Sequence, residues 1–277
     1  MKNIKDISIN KYKLIVSDID GTLVGKDHVL STFTKKTLFR LREERFPFTL
    51  ATGRNLPGIS SLADELEINL PLILINGGML QTRQEKMVSV TTLPLDVTQD
   101  VINLCEAQEK DLVIYISNGI YIKAMNENIH PVYNNVELGL FEISDWDTIK
   151  GELGGANKCL VVDSFVRENL IEIGNIFERE LNGRADVLHT SSSLVEVMPK
   201  GVTKVSGISK LAASLDIALD EIMAFGDFNN DVEMLSAVGL GVAVENASSA
   251  AKAAADLVVG SVWENGPAVF LNELLDR

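Results

Sequence analysis

The chain has 277 residues, 46% of them hydrophobic and only 7 of them proline, and carries a formal charge of −14 at pH 7. That is enough apolar material for the core of one large domain or two ordinary ones. So acidic a chain excludes binding to nucleic acid or anionic membrane through its general field, and leaves local reversal of that field by metal and lysine as the way to hold a phosphate-bearing substrate.

Residues 12–17 (YKLIVS) are a short apolar run ending in a polar turn, which predicts a buried strand. Ser31 is placed to cap the next helix, with Phe33, Leu38 and Leu41 as its apolar stripe. Residues 46–51 (FPFTLA) predict a second strand, whose start Pro47 confines to a position that needs no N–H. A helix over 59–66 leads to a third strand at 71–75, closed by Asn76-Gly77-Gly78. Strand and helix alternating at this spacing is the βαβ pattern of a parallel sheet.

The middle of the chain changes character. Residues 112–117 and 120–124 flank Asn118-Gly119, a two-residue hairpin signal. Helical periodicity appears over 97–107 and 170–181, and strand-like runs at 159–162, 186–189 and 194–198. After Lys200 the parallel pattern returns. A helix over 203–215 precedes a strand at 222–225 and the turn Gly226-Asp227. A helix to Ala237, a strand at 241–244, an alanine-rich helix, Val258-Val259 and a last helix to Leu275 follow. The expected architecture is a Rossmann-like, doubly wound α/β core domain (1–83 and 197–277) interrupted by an α+β cap (84–196).

No apolar run reaches the roughly 18 residues a membrane span needs, and no apolar segment follows the basic residues at the start. Cys105 and Cys159 lie far apart without a CxxC, so they read as small core hydrophobes of a reducing compartment. The expectation is a soluble, cytoplasmic protein.

The chemistry gathers at predicted strand ends. Asp18-Ile19-Asp20-Gly21-Thr22-Leu23 puts two carboxylates directly after a buried strand, where open α/β sheets place their ligands. Asp18 suits a nucleophile and Asp20 an acid/base, because alternate residues leave a strand in different directions. The second strand ends in Ala51-Thr52-Gly53-Arg54, a small hydroxyl and backbone N–H groups for a phosphate oxygen. Lys204 stands at the entry of a predicted helix, where its charge opposes the helix dipole, so nearby carboxylates and phosphate would explain its choice. Gly226-Asp227-Phe228-Asn229-Asn230-Asp231 again sets acids after an apolar strand. It imitates the opening of an EF-hand loop, but Val232 and Val238 hold the places that need glycine and glutamate. Carboxylates from two strand ends suit magnesium instead. The three histidines, His28, His130 and His189, are scattered without zinc spacing and read as surface or cap residues. Ser191 to Ser193 lack a nucleophile-elbow context, and Trp146 and Trp263 read as packing residues.

In this order the four segments resemble those of the haloacid dehalogenase superfamily of phosphotransferases. Asp18 to Leu23 look like its first motif, Thr52 its second, Lys204 its third and Gly226 to Asp231 its fourth, with 23 residues from Lys204 to Asp227. The cap between the second and third motifs is similar to the type-IIB (C2B) arrangement of Cof-like sugar phosphatases. The resemblance implies a phosphatase acting on a small phosphorylated metabolite, with sugar phosphates favoured, by way of an aspartyl phosphate on Asp18. It also implies a Mg²⁺ site from Asp18, Asp20, Asp227 and Asp231, with Lys204 holding Asp18 and with Thr52, Gly53 and Asn230 on the phosphate. The expected molecule is a monomer or homodimer without nucleic-acid or membrane partners. A phosphomutase of similar fold and a non-catalytic sugar-phosphate-binding regulator are the alternatives. Glu245 and Pro267 depart from the family pattern.

Overall fold

The computed structural model describes residues 7–26, 28–117, 119–129, 141–143, 145–146, 155–162, 167–189 and 194–277. The chain divides into two compact units, Met1–Val88 with Thr203–Arg277, and Ser89–Val202. The expected seams, at 83/84 and 196/197, stand a few residues before these.

The first unit opens with β1 (Leu14–Ser17), a run buried at every position. Helix α1 (Thr32–Glu43) follows, and the Ser31 hydroxyl caps it by accepting the Thr34 N–H at 3.0 Å. Next come β2 (Phe48–Leu50), α2 (Ser60–Glu65), β3 (Leu72–Leu74) and β4 (Met79–Gln81), and then β5 (Met87–Val90), within which the chain passes from the first unit to the second. Pro47 sits just before β2 and contributes only its carbonyl, which accepts the Ile15 N–H at 2.9 Å. β4 and β5 have no counterpart among the predicted strands; they join β3 in a three-stranded sheet.

The second unit runs α3 (Leu95–Ala107), β6 (Asp111–Ile116), β7 (Gly119–Ile122), β8 (Phe141–Ile143), β9 (Lys158–Val162), α4 (Arg167–Leu181), β10 (Ala185–His189) and β11 (Leu194–Pro199). Its strands form one sheet of order β10-β11-β9-β6-β7-β8, antiparallel except between β7 and β8. Alternate residues of that sheet, among them Leu112, Ile114, Val161, Val195 and Val197, pack with Val97, Val101, Ile173 and Phe177 of the helices. Cys105 and Cys159 lie in this cluster as free thiols, and burial pushes the Cys159 thiol up to about 12. The β6–β7 hairpin pairs Ile116 with Gly119. Gly119 is therefore already paired in β7, where the sequence suggests that it belongs to the turn. Asn118, His130 and Ser191 to Ser193 lie outside the described residues.

The chain then returns to the first unit through α5 (Lys204–Ser214), β12 (Ile222–Gly226), α6 (Val232–Ala237), β13 (Leu240–Val244), α7 (Ser249–Ala254), β14 (Leu257–Val259) and α8 (Gly266–Leu275). Pro267 falls in the first turn of α8, where a missing N–H costs nothing. The parallel sheet has the order β14-β13-β12-β1-β2, and a parallel bridge from Ala51 to Ile73 carries it on to β3. β1, β12 and β13 are buried at every position, as a sheet covered on both faces requires. Leu14, Val16 and Ala224 share one cluster with Ile208, Leu211 and Met234 of the helices.

β1 lies between β2 and β12. The strand order therefore reverses beside β1, and crevices at such switch points are where doubly wound sheets bind ligands. Among the described residues, no helix is long and apolar enough to cross a membrane.

Candidate active site

Asp18 leaves the end of β1, its N–H still donating to the Phe225 carbonyl of β12 at 2.9 Å. Asp227 leaves the end of β12 directly beside it. The turn after Asp18 passes so close to Asp227 that a Cβ on Gly21 would lie 2.3 Å from Asp227 Oδ2, and Gly21 itself has φ of +84°. Only glycine fits both demands. The next residue, buried Thr22, donates its hydroxyl to Asp227 Oδ1 at 2.9 Å. Asn246, after β13, clamps the same turn: its Nδ2 donates to the Gly21 carbonyl at 2.7 Å and its Oδ1 accepts the Val262 N–H at 2.8 Å.

Lys204 reaches this point because α5 starts unusually close to the end of β3. A Cβ on Gly77 would lie 2.0 Å from the Thr203 carbonyl, and one on Gly207 would lie 2.6 Å from Ile73 Cγ2. Thr203 caps the helix through a reciprocal pair of hydrogen bonds with Ser206, so Lys204 occupies its first turn. Its side chain is 1% exposed. Nζ donates to Asp18 Oδ1 at 2.5 Å and to Asp231 Oδ1 at 2.6 Å. The other oxygen of Asp231 accepts the N–H groups of Asp227 and Phe228, at 2.9 and 3.0 Å. Asp231 thus ties the lysine to the backbone of the Asp227 loop.

Oxygens of Asp18, Asp227 and Asp231 all come within 4.8 Å of one another. With every group ionised, three carboxylates face one ammonium. Burial first, and the neighbouring carboxylates after it, hold Asp18 well above the ordinary carboxylate range against the opposing pull of Lys204. Burial likewise raises Asp227 to about 6, against the Thr22 hydrogen bond. Burial alone would lower Lys204, but Asp18 and Asp231 outweigh it and keep it above its usual value. This pocket of buried negative charge is short of positive charge. An all-oxygen donor set with that deficit fits a hard divalent cation.

Residues 15–271 match the family described as haloacid dehalogenase-like hydrolase. The chain belongs to that family.

An HMP-PP phosphatase from Yersinia pseudotuberculosis serotype I is 27% identical, over 95% of this chain and 96% of its own. A haloacid dehalogenase-like hydrolase from Bacteroides thetaiotaomicron superposes with a TM-score of 0.86 at 26% identity, covering 95% of this chain and 99% of its own. A HAD subclass IIB sugar phosphatase shares the fold, with a TM-score of 0.82 at 23% identity over 96% and 100% of the two chains. As a haloacid dehalogenase-like hydrolase the chain is an enzyme with a parallel-sheet core and an antiparallel-sheet cap. Its family generally uses a metal ion, and a triad of acidic residues, Asp18, Asp227 and Asp231, is present here.

The remaining predicted site residues fall around the same crevice. Thr52 is buried, and its Oγ1 accepts the Arg54 N–H at 3.2 Å, leaving a hydroxyl proton to give. The Asn230 side chain donates to Asn76 Oδ1 at 3.0 Å, and a Cβ on Gly53 would meet that same oxygen at 3.3 Å. Asp20 stands apart from the buried acids. Its carboxylate is 40% exposed, and the Arg54 guanidinium grips it from Nε at 2.7 Å and from Nη2 at 2.5 Å.

Arg54, His28, Asn76, Thr22 and Asn246 escaped the sequence reading as site residues. Arg54 and Asn76 were visible only as parts of strand-end turns. Ile75 and Asn76 both adopt left-handed φ, +49° and +50°, which for a β-branched isoleucine costs about 1–3 kcal/mol. The backbone there is held by its neighbour: Ile75 N–H donates to the Arg54 carbonyl at 3.0 Å and Asn76 N–H to that of Thr52 at 2.9 Å. Among the described residues with positive φ, Ile75 is the one that is β-branched, and it stands in the turn beside Gly53 and Asn230, where such strain points to function.

Proposed function

We propose that the protein is a Mg²⁺-dependent phosphatase acting on phosphate monoesters of small metabolites, with sugar phosphates favoured, by way of an aspartyl phosphate on Asp18. The observation that carries this reading is Lys204 Nζ bridging Asp18 and Asp231 in a buried cluster where carboxylates outnumber the ammonium three to one. Such a cluster holds excess negative charge, which a bound cation offsets.

In the first half-reaction an Asp18 oxygen forms a bond to phosphorus as the bond to the leaving oxygen breaks, and Asp20 gives that oxygen its proton. In the second, Asp20 takes a proton from water, whose oxygen attacks phosphorus and displaces Asp18. Inorganic phosphate leaves, and both residues are restored. Lys204 orients Asp18 and offsets the acids around it, while Thr52, Gly53 and Asn230 hydrogen-bond the phosphate oxygens. Asp18 and Asp227 would hold the Mg²⁺ through their carboxylates and Asp20 through its backbone carbonyl. Asp231 completes the acidic set and fixes Lys204 and the Asp227 loop. When bound, the ion neutralises charge on the phosphate, which is the main obstacle in a dianionic ester. The second unit takes the role of the inserted cap that selects the leaving group.

Phosphate release from sugar phosphates, nucleotides, HMP-PP (named for the Yersinia relatives) and an aryl phosphate tests the reading, with Mg²⁺ or chelator and with Asp18→Asn beside the wild type. Release that needs both metal and Asp18 is the expected result. Folded protein that releases nothing from any compound in Mg²⁺ would overturn it.

A further inference from the structure

Asp20 is asked to protonate a leaving group from a position that nothing buried defines. It follows Asp18 by two residues, ahead of the glycine turn, and 40% of its side chain faces solvent. An aspartate so exposed samples several rotamers unless something holds it. Here the holder is Arg54, whose side chain is only 16% exposed. Its planar fork meets both Asp20 oxygens, and Nη1 is tied back to the Gly58 carbonyl at 3.3 Å. The Arg54 backbone belongs to the loop that carries Thr52 and Gly53: its N–H donates to Thr52 Oγ1 and its carbonyl accepts from Ile75. His28 braces the pair from outside, with Nδ1 at 3.1 Å from Asp20 Oδ1 and 2.9 Å from Arg54 Nη2. One ring nitrogen satisfies only one of those two partners at a time, so His28 is the weaker support.

We infer that Arg54 is a positioning residue that acts through Asp20, fixing the direction from which that carboxylate protonates the leaving oxygen and later receives the proton of water. It ties the acid/base to the loop proposed to hold the phosphate, so both keep one geometry. The inference rests on the phosphatase reading above. Lysine cannot replace this function, because a single ammonium has no fork to set the carboxylate plane.

The test compares kcat/KM, which reports the steps up to the aspartyl phosphate, for an alkyl phosphate and for p-nitrophenyl phosphate. An alkoxide needs a proton to leave and p-nitrophenolate does not. Arg54→Ala is expected to lower kcat/KM about 100-fold on the alkyl ester, the scale of a 1 Å misplacement, and severalfold at most on the aryl ester. In an Asp20→Asn background the same change is expected to cost nothing further on the alkyl ester. Should Arg54→Ala fail to fold, Arg54→Lys carries the test, with the alkyl-to-aryl ratio expected to fall about tenfold. Equal losses on both esters, or a loss that adds to that of Asp20→Asn, would overturn the inference and make Arg54 a direct phosphate ligand or a structural residue. A wild type inactive on both esters defeats the phosphatase reading and this inference with it. A wild type that is active, with Asp18→Asn dead and the ester ratio unmoved by Arg54, defeats this inference alone.

Discussion

Each unit buries a lysine against carboxylate, and the two arrangements differ in kind. In the second unit Lys158 meets Glu196 at 3.4 Å, with its ammonium 4.5 Å from the centre of the Tyr115 ring. There an ammonium and a carboxylate offset each other. In the first unit Lys204 is held at 2.5 and 2.6 Å by two of three clustered aspartates, and the charges do not balance. A matched buried pair is self-contained, and its removal is a question of stability. An unmatched cluster costs the fold energy until something positive arrives, and its removal is a question of function.

The largest effect that sharpens this contrast is on Asp18. Asp18→Asn is expected to abolish turnover in a phosphate-release assay while circular dichroism shows an intact fold, since a carboxylate is removed from a site that has too many. Asp20→Asn comes next, with both half-reactions slowed about 10²- to 10⁴-fold, the usual worth of general acid/base catalysis. Lys204→Met is expected to cost about 10²- to 10³-fold, the scale for losing one preorganised electrostatic group. Full activity in Lys204→Met would break the comparison, because the bridging ammonium would then be as dispensable to catalysis as a structural one.

The matched pair answers to unfolding rather than to turnover. Lys158→Met takes the ammonium away from buried Glu196, and the expected loss is about 3–5 kcal/mol in urea unfolding. Replacing both, Lys158→Met with Glu196→Leu, is expected to recover most of that loss, because two apolar side chains of similar size bury well. A double variant as unstable as the single one would show that the pair does more than balance itself.

The same contrast explains what could be read from sequence. Asp18, Asp227, Lys204 and Thr52 were legible because each sits at the end of an apolar strand or the entry of a helix, so chain order alone places them at one edge of a parallel sheet. Arg54 sits in that motif too, but its partner lies 34 residues back, and only the path of the folded loop shows how far the guanidinium reaches. Asn76 was visible as a turn. Its left-handed backbone, and that of Ile75, is imposed by hydrogen bonds from the neighbouring loop, which no local pattern encodes. The β6–β7 register failed for another reason. Pairing Tyr115 with Ile120, as observed, or with Ile122 keeps every side chain on the same face, so apolar alternation cannot tell the two apart. β4 and β5 escaped because neither is a fully buried apolar run: β4 ends in half-buried Gln81, and β5 alternates half-buried and exposed positions.

The smallest expected effect is also the most direct test of the charge imbalance. In the metal-free fold Asp227 titrates near 6, against about 4 in an unfolded chain. Between those values the folded protein binds more protons than the unfolded one, so its stability falls as pH rises. The loss is complete above about 6, and Asp18, raised for the same reason, acts in the same direction. Metal removes the penalty by supplying the missing positive charge, and at low pH it must first displace protons. Saturating Mg²⁺ is therefore expected to raise the Tm more at pH 8 than at pH 5, by a few degrees if the difference is about 1 kcal/mol. Asp227→Asn, which removes the titrating group and one ligand together, is expected to flatten the metal-free pH dependence and shrink the Mg²⁺ shift. A Tm that responds to Mg²⁺ equally at both pH values, or equally with and without Asp227, would mean that the three aspartates are balanced within the fold after all, as Lys158 and Glu196 are.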